Sequence, residues 1–153
     1  MKDGRGAIHV LRVRVEETTV ALPLDRVVEV ARRVRIVPLP AAPPIALGVV
    51  LHRGVPVVAV DLRTRLSAPT RTPALSDPFV VARTAHRPVV LVVDDVLGTA
   101  RLDASALFPP VAPSPGLEGV IATEDGVWLV QDLDALLSLE ESLALDRAIE
   151  AVS

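Results

Sequence analysis

From residue 8 to residue 15 the chain reads IHVLRVRV, apolar and polar positions in near-alternation, the period of a strand with one face against a core. A polar turn, Glu16 to Thr18, precedes two further β segments, VALPLD (20–25) and VVEVARRVRIV (27–37). Pro23 cannot donate to a ladder, which predicts an edge position for the first of these. A stiff joint, PLPAAPP (38–44), leads to GVVL (48–51), a turn HRG and VPVVAV (55–60), completing five strands. DLRTRL (61–66) reads as one helical turn with Asp61 as N-cap, its carboxylate accepting from free first-turn N–H groups.

The order then restarts. After a polar, proline-containing linker (67–78) come PFVVART (78–84), HRPVVLVVDD (86–95) and VLGTARL (96–102). A second proline-rich joint, FPPVAPSPG (108–116), precedes GVIATEDGVWLVQDLDALL, which parallels GVVLHRGVPVVAVDLRTRL in the first half. Gly48 to Asp61 spans the same 13 positions as Gly119 to Asp132, each hairpin turns at a glycine (Gly54, Gly126), and Asp25 has its counterpart at Asp94. A period of about 70 residues is too long for a solenoid repeat and fits two five-stranded modules. The expectation is an all-β duplicated fold forming one domain over 1–153. Lobe one spans about 8–66, lobe two about 78–137, and a groove lies between them. The tail, 138–152, opens with Ser138 and Glu141 at capping-box spacing and predicts a terminal amphipathic helix.

Composition narrows the class. Half of the residues are hydrophobic but only 2% are aromatic, so the core must be built from branched aliphatics, which suit pleated sheets. A net charge of −3 and the scarcity of stacking rings argue against nucleic acid. Without cysteine there is no disulfide framework and no thiolate metal site, in keeping with a reducing compartment. Every apolar run is too short or proline-broken to span a bilayer, so a soluble, cytoplasmic chain without membrane insertion is expected.

Candidate chemistry is sparse. His9, His52 and His86 fall on separate segments without ligand spacing, the serines sit in linkers, caps or the tail, and the glycines form no phosphate loop. No catalytic residue, metal or cofactor is expected. His52, beside Arg53, reads as a turn residue. Asp94 and Asp95 are adjacent carboxylates, but neighbours on a strand point to opposite faces. Gly54 and Gly126 fit turns that need φ > 0, and Trp128 fits the core of the second lobe. Alternation does not say which of Val27 and Val28 faces outward, and burial statistics favour the core for either. A ligand-binding or enzymatic barrel would use the inter-lobe cleft with Asp94, Asp95 and His86 as its polar groups.

The run ALPLDRVVEV, the joint PLPAAPP and the hairpin GVVLHRGVPVVAVDLRTRL together resemble the CheW adaptor family over nearly the whole chain. That family carries a glycine-flanked Asn-Leu-Arg-Gly hairpin ending in Asp-Leu-Arg, on paired five-stranded SH3-like barrels. The resemblance implies a non-enzymatic adaptor, recruited to receptor arrays at the inner face of the membrane. Its lobe surfaces would bind the regulatory domain of a CheA-type histidine kinase, and its inter-lobe groove the cytoplasmic tip of a chemoreceptor. The same geometry permits self-association through lobe edges. Gly48, Arg53 and Gly54 match the hairpin motif, with His52 inside it; Asp61, Leu62 and Arg63 match its exit; Val27 and Glu29 match a strand on the receptor side. The implied partner-binding set is Val27, Glu29, Gly48, His52, Arg53 and Gly54. A salt bridge from Glu29 would orient Arg53 toward the groove; on the residues alone Arg53 reads as a solvated turn arginine. Leu51 stands where the motif has asparagine, and the proline usual before Asp-Leu falls at Val58, with Pro56 nearby. Two readings follow: a coupler of receptor and kinase, or a divergent paralogue of a non-flagellar pathway that binds receptor or another partner without the kinase.

Overall fold

The computed structural model describes residues 4–32, 35–74, 76–110 and 116–152. The first three residues, 33–34 of the third β segment, 75 of the linker, 111–115 of the second joint and 153 lie outside them. Strands β1 (Ala7–Val15), β2 (Thr18–Pro23), β3 (Val27–Ala31), β4 (Ala46–His52) and β5 (Val55–Asp61) occupy the first half. Helix α1 (Leu62–Arg65) follows, and the Asp61 side chain accepts from the Arg63 N–H as a cap should. The second half holds β6 (Phe79–Arg83), β7 (Pro88–Val92), β8 (Asp95–Asp103), a two-residue β9 (Leu107–Phe108), β10 (Leu117–Thr123) and β11 (Gly126–Gln131). Helix α2 (Leu139–Ala151) ends the described chain with the expected capping box, Ser138 and Glu141 each bonded to the other's backbone N–H.

The duplication is visible residue by residue. Every partner pair of the β4–β5 hairpin recurs in β10–β11 shifted by 71 positions, so that Val49 with Val58 becomes Val120 with Leu129. Strands β1 and β2 correspond to β6 and β7 with a shift of 69, Val10 with Pro23 becoming Phe79 with Val92. Even the irregularities repeat. One extra residue bulges from β3 at Val28 and one from β8 at Leu97, again 69 apart.

The sheets nevertheless do not follow the halves 8–66 and 78–137. One sheet has the order β8-β1-β2-β11-β10-β9 and the other β3-β6-β7-β5-β4. Each half lends its first hairpin to the sheet built by the last three major strands of the other. The first sheet has six strands, where five were expected, because β9 covers the outer edge of β10. Its counterpart in the other sheet is the single Val37–Val49 bridge. Strand β2 is interior, which corrects the edge position argued from Pro23. Its ladder with β11 involves Val20 and Ala21 only, so the proline lies past the positions where an N–H is needed.

This exchange explains why many strands are apolar on both faces. In β1, Ile8 and Val10 pack with Ala21, Ile121, Trp128 and Val130 inside one lobe. Leu11, Val13 and Val15 face the other way, into a shared core with Val58, Val60, Val80 and Leu91 of the other sheet. Leu133, Leu136 and Leu145 of the C-terminal segment complete that shared core. A third cluster, with Phe79, Val81 and Val90, fills the other lobe. Trp128 is thus a core residue, as expected, and Arg12 lies 5.3 Å from its ring centroid. Among the described residues no helix is long and apolar enough to cross a membrane.

Candidate partner-binding site

Strands β4 and β5 pair up to His52 with Val55, leaving Arg53 and Gly54 as the loop. Both have positive φ, 52° and 78°, the requirement of the hairpin turn whose twist matches the strands. Gly54 meets it at no steric cost, since a Cβ there would have open space around it. The tight turn leaves the Arg53 side chain three-quarters exposed. Its Nη2 donates to Glu29 Oε2 at 2.7 Å, forming the expected pair. His52 is not a turn residue but the last residue of β4, half-buried, with Nε2 on Glu29 Oε1. Hydrogen bonds from His52 and then Arg53 hold the Glu29 carboxyl below its ordinary range. Because β3 and β4 are the two edges of their sheet, this one carboxylate spans the seam between them.

Beside Glu29, Val28 is 50% exposed and Val30 also faces solvent, whereas Val27 is half-buried against the shared core. The burial expected for Val28 is therefore corrected: the bulge turns it outward. Its counterpart Leu97 on β8 is exposed in the same way, and Val96, like Val27, packs on the shared core. Two edge strands, β3 and β8, thus flank that core and carry apolar residues outward.

Gly48 does something else. It is buried at φ 148°, and a Cβ would come within 2.2 Å of the Val37 carbonyl oxygen. Gly119 stands in the same relation to the Phe108 carbonyl oxygen, at 2.6 Å. Gly48 is thus a packing glycine, needed because the 35–37 segment lies directly on β4.

Asp94 lies in an ionic cluster whose other members the chain pattern did not reveal. Arg63 Nη2 reaches both of its oxygens, Arg71 Nη2 donates at 2.7 Å and the Glu16 N–H at 2.6 Å. Arg63 also pairs with Glu16, and Arg71 with Asp77. Burial opposes the charge on Asp94, but the Arg63, Glu16 and Arg71 hydrogen bonds outweigh it and bring its pKa to about 2. A related tie stands at the duplicated position. Asp134, the counterpart of Arg63, accepts from Arg26 and from the Ala85 N–H. Only the hairpin exit Asp-Leu-Arg hinted at Arg63, by resemblance and not by spacing.

The groups an enzymatic cleft would need are not brought together. Asp94 is engaged by arginines, Asp95 is exposed at the start of β8, and His86 lies in the β6–β7 turn. There His86 borders a cavity of about 360 Å³ with Asp134 and the first turns of α2. Among the described residues no three His, Asp or Glu side chains are grouped to hold a metal. An apolar groove of about 680 Å³, not foreseen from the sequence, runs between the 35–40 segment, β4 and Val152. Leu51, 65% exposed, lines it with Val37, Leu39 and Pro56, and Arg35 is its one charged lining residue among those described.

The model of the family described as "CheW-like domain" matches residues 9–141. Protein FrzA of Myxococcus xanthus is 31% identical over 97 residues, covering 63% of this chain and 61% of FrzA. Chemotaxis protein CheW of Rhizobium meliloti (strain 1021) is 26% identical over 148 residues, 89% of this chain and 91% of that protein. The crystal structure of scaffolding protein TtCheW from Thermoanaerobacter tengcongensis superposes with a TM-score of 0.80 at 21% identity, over 88% of this chain and 94% of that one. It shares the two-lobed β fold.

Proposed function

The chain belongs to the CheW-like domain family, and on that premise we propose that it is a cytoplasmic adaptor coupling chemoreceptor tips to a CheA-type histidine kinase, without covalent chemistry of its own. The observation that carries this reading is Glu29. One carboxylate fixes both His52 and Arg53 beside the outward valines Val28 and Val30. An exposed arginine held in one orientation next to an apolar edge is ready to bind without losing much side-chain freedom. The bulges on β3 and β8 present Val28 and Leu97 on either flank of the shared core, a two-sided apolar seat for an α-helical receptor tip. The kinase regulatory domain docks on the lobe ends, and the receptor arrays at the inner face of the membrane recruit the adaptor. Rigidity does the work. An adaptor held by a shared core and a buried ionic cluster transmits a small receptor displacement into unequal contacts with two kinase states, and so shifts their populations.

Leu51 favours a second reading. Where the motif has asparagine, this chain exposes an apolar residue on a groove, which suits a partner contact other than the kinase's.

Titration of the full chain against a receptor-tip fragment and, separately, a kinase regulatory domain tests both. Binding to both, with Arg53→Ala weakening receptor binding about tenfold at an unchanged melting temperature, supports the coupler. Receptor binding alone supports the divergent adaptor, and binding to neither removes both readings.

A further inference from the structure

The outer edges of β10 and β4 are covered to different extents. Beside β10 the chain pairs two residues, Leu107 with Ile121 and Phe108 with Val120; beside β4 there is a single bridge, Val37 with Val49. The groove of about 680 Å³ lies along that less covered edge, between β4 and the 35–40 segment. Among the described residues its lining holds no polar side chain apart from Arg35. Pro38, Pro40 and Pro56 have no N–H to offer, and Val37 and Leu51, 53% and 65% exposed, present bare aliphatic surface. Arg35 is itself exposed and has no carboxylate partner among the described residues.

We infer that this groove binds a free fatty acid, its acyl chain lying against Leu51, Val37 and the prolines and its carboxylate on Arg35. Each feature of the groove narrows the ligand. Aliphatic walls open to water favour a hydrocarbon, which removes that surface from solvent. A peptide backbone laid in the hollow would give up its water and find few donors in return, whereas an acyl chain has no polar group to satisfy. Arg35 is open to take an anionic head, and a guanidinium holds a carboxylate through two parallel N–H bonds. A ligand with one anionic end and one apolar body therefore matches a groove with one cation and apolar walls. The site is distinct from the Glu29, His52 and Arg53 group, and the inference goes beyond the coupling of receptor to kinase without depending on it.

Isothermal titration of the full chain with sodium dodecanoate, kept below its micelle concentration, tests it. The expected result is saturable binding of one molecule per chain. Octanoate should bind about tenfold more weakly, because methylenes are lost from the apolar contact. Dodecyltrimethylammonium, with the same chain and the opposite charge, should also be weaker by about tenfold or more. Leu51→Asp and Arg35→Gln should each weaken dodecanoate binding about tenfold, and Arg35→Lys, which keeps the charge, should recover most of it. Both positions are exposed, so folding is retained, and circular dichroism checks that it is. The absence of saturable dodecanoate binding overturns the inference. So does an ammonium amphiphile bound as tightly as the carboxylate, or a Leu51→Asp or Arg35→Gln protein that binds like the parent.

Discussion

Arg63 Nη2 lies 2.6 Å from each carboxylate oxygen of Asp94, joining the helix that closes the first half of the chain to the turn between β7 and β8 in the second. Both side chains are more than nine-tenths buried. Such a contact contributes little when compared with an apolar replacement of the whole cluster, but removing one partner strands the others in a poorly solvated place.

Asp94→Asn is therefore expected to cost about 3–5 kcal/mol in urea unfolding, because Arg63 and Arg71 keep their charges and lose the negative charge they share, while the amide nitrogen that replaces one oxygen is a donor facing donors. Asp95→Asn, one residue on but exposed, should stay within about 0.5 kcal/mol of the parent. Equal effects at the two positions would mean that the cluster does not stabilise the fold.

The same residue sets an acid limit. Its folded pKa of about 2 lies below the ordinary 3.8, so the folded state holds its proton less readily than the unfolded one. The contribution is complete above about pH 4 and is lost as pH falls toward about 2, amounting to about 2 kcal/mol. Urea midpoints measured through that window should drop more steeply in the parent than in Asp94→Asn; parallel slopes would contradict the assignment.

Gly48→Ala and Gly54→Ala separate packing from turn conformation. At Gly48 the added methyl meets the Val37 backbone, and a loss of about 3 kcal/mol or more is expected. At Gly54 nothing obstructs it, and only the left-handed conformation is penalised, by about 1 kcal/mol. Thermal melts decide between them, and a Gly48→Ala protein as stable as the Gly54 variant would mean that the Val37 backbone does not constrain Gly48.

Val27→Ala and Val28→Ala should divide stability from binding. Val27 packs on the shared core, so its truncation costs about 1–2 kcal/mol. Val28 projects into solvent and should leave the melting temperature nearly unchanged while weakening receptor-tip binding severalfold. If Val28→Ala binds like the parent, the β3 edge is not the receptor seat.

Much of this was legible beforehand because strand period, turn glycines and helix caps are local rules. The turn glycine Gly54, the Asp61 cap and the Ser138–Glu141 box each depend on residues within a few positions of one another, and each stands as read; the strand over 8–15 forms too, but buries both faces where one was expected. The Glu29–Arg53 pair was anticipated from the motif likeness. His52 on the same carboxylate was not, since its place on β4 or in the turn depends on where the ladder ends.

What the sequence determined by itself was the list of elements and their repetition, because a backbone segment and its side-chain period are written in consecutive residues. What only the tertiary structure decided was partnership. The repeat pattern is the same whether each half keeps its first hairpin or lends it to the other, since both arrangements satisfy the same strand ladders. Which valine of the bulged β3 strand faces water and which arginines converge on Asp94 depend on strands brought together from both halves. Those contacts join residues tens of positions apart, where no local preference acts and only the packing of whole sheets selects the neighbour.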